Sequence, residues 1–116
     1  MLTNGKGNIV VTSSSNAIST TEKRSAYTAS KRSLVGLVQS AALDYVDKGI
    51  RINTLIPGTT DTALVRGVAH MRNLPDAVWE EAASIWAKSH IPMKRMATPE
   101  EIATFAWPSL PTTSRL

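Results

Sequence analysis

Two short runs rich in β-branched residues, Asn8-Ile-Val-Val-Thr12 and Ile50-Arg-Ile-Asn-Thr-Leu-Ile56, flank a single long helical stretch, with Gly or Pro-Gly at the joints. A strand, a long helical crossover and a second strand make a βαβ unit. Such a connection returns the chain to the same end of the sheet, so the strands run parallel. The pattern predicts strands over 8–13 and 50–56 and a helix over 26–47. The helix carries Leu34, Leu37, Val38, Ala41, Ala42 and Tyr45 as an apolar stripe for packing on the sheet, and Gly49 is expected to cap its end. The expected fold class is α/β, and the chain of 116 residues is one domain at most.

Chemistry concentrates at the strand ends, where open parallel sheets bind their ligands. Tyr27 and Lys31 stand four residues apart at the start of the helix, on one face and one turn apart. A lysine beside a tyrosine favours the phenolate, which equips the pair for proton transfer near neutral pH. The serine cluster Ser13-Ser14-Ser15 lies past the end of the first strand and Pro57-Gly58 past the end of the second. A serine hydroxyl there is placed to hold a carbonyl or alcohol oxygen against the phenol.

Five segments in order resemble the short-chain dehydrogenase/reductase family over about Met1–Ala103. They are Gly7-Asn-Ile-Val-Val-Thr-Ser-Ser14, the spacing of thirteen residues from Ser14 to Tyr27, Tyr27-Thr-Ala-Ser-Lys31, Ile50-Arg-Ile-Asn-Thr-Leu-Ile-Pro-Gly58, and Met93-Lys-Arg-Met-Ala-Thr-Pro-Glu-Glu-Ile-Ala103. The resemblance implies part of a Rossmann-like doubly wound parallel sheet. It also implies NAD- or NADP-dependent hydride transfer between an alcohol and a carbonyl. On these positions Tyr27 would be the general acid/base, Lys31 its activating partner and a ligand of the nicotinamide ribose, and Ser14 the group on the substrate oxygen. Ser13 and Ser15 compete for that last role, but the spacing favours Ser14. Pro57, Gly58 and Thr60 would line the nicotinamide pocket, and the Thr62 hydroxyl would reach the carboxamide or pyrophosphate. In the family the equivalent of the 26–47 helix packs against a partner subunit, so a homo-oligomer is implied. Ala17 and Thr59-Thr60 depart from the family pattern without removing a reacting group.

The family's opening Gly-rich turn, whose amides cradle a pyrophosphate, has no counterpart among the six glycines at positions 5, 7, 36, 49, 58 and 67. The residue that selects NAD or NADP would lie in that region too. Residues 1–103 therefore read as the catalytic part of such a domain. Residues 104–116, with Pro108 and Pro111, read as a divergent, irregular tail, and the chain as a partial or disrupted gene product. The alternative function is a non-catalytic remnant or interaction piece, unable to hold the dinucleotide alone. Two strands leave sheet edges and a face uncovered, so stability as a free monomer would be marginal.

Further helices are expected over 61–73 and 75–89, with Pro75 in the first turn of the second. Trp79 and Trp86, seven apart on one helix face, are candidates for substrate contact. Thr98-Pro-Glu-Glu101 reads as a capping box with Pro at the first helical position. No cysteine is present, which excludes disulfides and thiolate metal sites and fits a cytoplasmic setting. His70 and His90 have no ligand-spaced companions, so no metal is expected. Asp44, Asp47 and Asp61 form no recognisable carboxylate pair, and Ser14 lacks a nucleophile elbow. The formal net charge of +4 is scattered without a basic, aromatic-interleaved stripe, which speaks against nucleic acid. No run reaches membrane-spanning length.

Overall fold

The structure, a computed structural model, describes residues 1–71 and 73–106. These residues divide into two compact units, one of Met1–Pro57 with the chain from Ala103 and one of Gly58–Ile102.

In the first unit β1 (Gly7–Thr12) and β2 (Ile50–Leu55) pair in parallel, with Gly7 opposite Ile50 and Thr12 opposite Leu55. The helix between them, α1, runs Ser25–Tyr45 and packs against β2. The βαβ reading holds, with β1 shifted one residue earlier than expected and β2 ending one residue sooner. Side chains alternate across the pleat, which places Asn8 and Arg51 on one face, where Arg51 Nε donates to Asn8 Oδ1 at 2.9 Å. Val38 of α1 and Ile50 of β2 are each 5% exposed, and burying one such side chain contributes roughly 1.5–3 kcal/mol.

The apolar stripe of α1 is only partly used. Val38 is buried and Leu34, Ala41 and Ala42 are half-buried, but Leu37 and Tyr45 face solvent. Two strands about 5 Å apart shield one narrow strip of a helix, so residues at the margins of the stripe stay wet.

The α-helix gives way to a single 3-10 turn, Val46–Lys48, which Gly49 closes in the left-handed region at φ 69. A Cβ at Gly49 would lie 2.2 Å from the Gly5 carbonyl oxygen, and Gly7 N donates to Gly49 O at 3.1 Å. Gly49 is required both for its backbone conformation and for this close approach. Gly49→Ala is expected to cost at least about 1–2 kcal/mol, the ordinary penalty of a left-handed L-residue, with the backbone clash added. Urea denaturation followed by circular dichroism checks it.

The second unit holds α2 (Ala63–Val68), α3 (Asp76–His90) and the start of α4 (Pro99–Ala106). Both middle helices differ from expectation for local reasons. The Thr62 side chain accepts from Val65 N at 3.3 Å and caps α2, so the helix starts at Ala63. The chain breaks away at His70, whose φ is 58. Pro75 has extended ψ (146) and stands just outside α3 as its cap, its carbonyl accepting from Val78 N and Trp79 N. Trp79 is 2% exposed and Trp86 39%, so the two tryptophans do not form one exposed face; Trp86 instead stacks on His90 with ring centroids 4.7 Å apart. Helix α4 continues three residues into the segment expected to be irregular, and residues 107–116 lie outside the described residues. No helix among the described residues is long and apolar enough to cross a membrane.

The capping box forms as read. Thr98 N donates to Glu101 Oε2 at 2.9 Å and Glu101 N to Thr98 Oγ1 at 3.2 Å. Arg95 adds a two-pronged pair to Glu101 at 2.7 and 2.6 Å. The Arg95 guanidinium first, then the Thr98 amide, hold the Glu101 carboxyl down to about 2 from its usual 4.5. A carboxyl lowered on folding adds stability that is present above its unfolded pKa of 4.5 and is lost as pH falls toward about 2. The Thr98 amide shift, followed by NMR, is expected to titrate in that window and to lose the titration in Glu101→Gln.

Candidate active site

The three residues read as catalytic all lie in the first unit, around the carboxyl ends of β1 and β2. Pairing outlasts the strands themselves. Ser13 N donates to Leu55 O at 2.8 Å and Ser15 N to Pro57 O at 2.9 Å. Ser14 sits between these two bonds in an extended conformation (φ −163, ψ 153) and caps the 3-10 turn Ser15–Ala17 by accepting from Asn16 N at 3.2 Å. Its oxygen accepts that bond while its own hydrogen stays available to donate.

Helix α1 is fastened to this turn at three points. Ser13 Oγ donates to the Lys31 carbonyl at 2.7 Å, and Lys31 Nζ returns to the Thr12 carbonyl at 3.3 Å. Arg32 Nε donates to the Ala17 carbonyl at 2.9 Å. Ser13 and Ala17 are both 4% exposed. The residues on either side of Ser14 are thus tied to the helical turn that follows Tyr27. Ser13 is buried with its hydrogen committed to a backbone carbonyl, so it ties strand to helix.

Tyr27 lies in the first turn of α1, half-buried. The Lys31 ammonium stands 5.8 Å from the Tyr27 ring centroid. With one of three N–H groups on Thr12 O, two remain for another acceptor, such as a pair of ribose hydroxyls. The Lys31 ammonium and the turn carrying Ser14 are therefore held by backbone ties at one sheet end, with the Tyr27 phenol one helical turn before Lys31. The set is suited to gripping an oxygen and passing a proton to or from it.

The residues read as cofactor contacts divide between the units, with Tyr27, Lys31 and Pro57 in the first and Gly58, Thr60 and Thr62 in the second. Space around Gly58 is open, with no atom within 4 Å of where a Cβ would stand. Thr60 Oγ1 donates to Gly58 O at 3.3 Å, and Thr62 Oγ1 is occupied as an acceptor by Val65 N. The Thr62 hydroxyl hydrogen is left for an acceptor such as an amide or phosphate oxygen. Among the described residues there is no group of three or more His, Asp or Glu able to hold a metal ion.

Sequence reasoning missed the ties that Arg32 and Ser13 make to the backbone. Neither carries a spacing signal, since each bonds a backbone carbonyl that only the folded chain brings near.

Comparison with known proteins identifies the family. A family model described as enoyl-(acyl carrier protein) reductase matches residues 1–108. The short-chain dehydrogenase RED2 of Pyricularia oryzae is 38% identical over 98 residues, covering 84% of this chain and 32% of that protein. The ligand-free aldohexose dehydrogenase of Thermoplasma acidophilum superposes with a TM-score of 0.84 at 34% identity, covering 98% of this chain and 44% of the other. An actinorhodin polyketide ketoreductase variant with NADPH superposes at 0.82 and 26% identity, over 98% of this chain and 44% of that one. The chain spans only 38%, 37% and 32% of the first three curated relatives. The fold is Rossmann-like α/β, and the chain belongs to the short-chain dehydrogenase/reductase family of oxidoreductases.

Proposed function

We propose that these residues form the catalytic part of an NAD- or NADP-dependent oxidoreductase that interconverts a secondary alcohol and a carbonyl. The observation that supports this reading is the pair of bonds exchanged between Thr12-Ser13 and Lys31, with Ser14 next to Ser13 in the chain and Tyr27 one helical turn before Lys31. The nicotinamide supplies or accepts the hydride when bound. In reduction the Tyr27 hydroxyl gives its proton to the carbonyl oxygen as that oxygen gains charge. In oxidation the phenolate takes the proton back from the alcohol. Ser14 donates to the same oxygen and fixes its position, and Lys31 presents its free N–H groups to the ribose. Pro57, Gly58, Thr60 and Thr62 are read as further dinucleotide contacts. The NADPH held by the ketoreductase neighbour supports a nicotinamide cofactor, and the aldohexose dehydrogenase neighbour supports alcohols as substrates.

Tyr27→Phe is expected to lower turnover by about a hundred- to ten-thousand-fold, the usual worth of a positioned general acid/base. Cofactor absorbance with an aldohexose or a cyclic ketone as substrate checks it. An unchanged rate would sink the assignment. A wild-type chain that binds neither NADH nor NADPH would favour the remnant reading.

The outer side of α1 is read as a homo-oligomer surface, because Leu37 is 63% and Leu43 78% exposed on a helix that buries only its inner strip. Leu37→Asp is expected to shift the protein to monomer in light scattering coupled to gel filtration. A wild-type monomer under the same conditions would overturn this pairing.

A further inference from the structure

The second unit contains a charged and aromatic cluster that the reaction scheme does not use. Asp61 Oδ1 accepts from Trp79 Nε1 at 2.9 Å and from Arg66 Nε at 3.4 Å. Arg66 Nη1 donates to Asp76, and the guanidinium lies 5.3 Å from the centre of the Trp79 ring. Isolated exposed ion pairs contribute little to stability. This cluster differs because its centre is an indole that is 2% exposed, and a buried indole N–H needs an acceptor. The Asp61 carboxylate is that acceptor.

Asp61 lies between Thr60 and Thr62, both read as dinucleotide contacts. Its backbone is pinned as well, since Asp61 N donates to Ala97 O at 2.9 Å and Ala97 N to Thr59 O at 3.1 Å. One residue therefore joins the 58–62 loop to α2 through Arg66, to α3 through Trp79, and to the segment before α4 through Ala97. Helix α2 has only six residues and would not persist alone. Arg66 also stands between two carboxylates, Asp61 and Asp76, that would repel one another without it.

We propose that Asp61, Arg66 and Trp79 are positioning residues that hold the Gly58–Thr62 loop and α2 in the shape that receives the nicotinamide dinucleotide, before it arrives. The proposal rests on the oxidoreductase reading above for its ligand and on the cluster's geometry for its mechanism. An ordered loop need not be frozen on binding, so the cluster sets affinity.

Two measurements on the 116-residue chain test it. In Arg66→Gln and Asp61→Asn, amide hydrogen exchange of residues 60–65 is expected to rise tenfold or more while the β1–β2 amides keep their protection. NADPH affinity, read from nicotinamide fluorescence, is expected to fall about tenfold in parallel. Arg66→Lys is expected to restore little, because lysine lacks the planar fork and the stacking face. The proposal is overturned if exchange at 60–65 is unchanged, if it rises together with β1–β2 as general unfolding, or if it rises selectively with NADPH affinity intact. Full rescue by Arg66→Lys would also overturn the geometric role. If the wild-type chain binds no NADPH, the dinucleotide reading fails and takes the ligand role with it. That outcome is distinguished by a loop-exchange effect that persists without any ligand.

Discussion

The exchange of hydrogen bonds between the end of β1 and Lys31 is the constraint on which the site depends. A serine hydroxyl donates into the helix backbone, and the lysine side chain of the same helical turn donates back into the strand backbone. The two bonds tie strand and helix together in both directions. Together with Arg32 on Ala17, they leave the turn carrying Ser14 little freedom to slide along α1. Catalytic geometry is sensitive to shifts of an ångström, so ties made through backbone atoms are a natural way to hold three reacting side chains of different origin.

The second unit solves a related problem with different means. Its short helix leaves Leu64 and Val68 exposed, and its most buried side chains are Trp79 and Ala87. Order is supplied by one carboxylate that serves a buried indole and a guanidinium, and by a capping box reinforced by Arg95. The first unit relies on a parallel sheet and an apolar core. The second relies on polar groups satisfying one another.

The apolar side of the first unit is incompletely covered. Leu37, Leu43 and Val46 are each more than 60% exposed, although they lie on or just beyond a well-formed helix. A two-strand sheet offers too little surface to shield them.

Much of this was readable from the sequence because the signals are local. The β-branched runs, the helical interval between Tyr27 and Lys31, Gly49 at a helix end and Thr98-Pro-Glu-Glu101 as a cap each depend on a few neighbouring residues. Those signals sufficed for the strand–helix–strand order and the family. They did not reveal which apolar residues of α1 stay wet, that Trp79 is buried while Trp86 is not, or that Asp61, Arg66 and Trp79 meet. Spacing favoured Ser14 over Ser13, but the bond that ties Ser13 to α1 depends on a carbonyl eighteen residues away. Local patterns specify which elements form. The partner of a buried polar group is chosen only when the folded chain brings distant backbone within hydrogen-bond reach, and that was decided by tertiary structure alone.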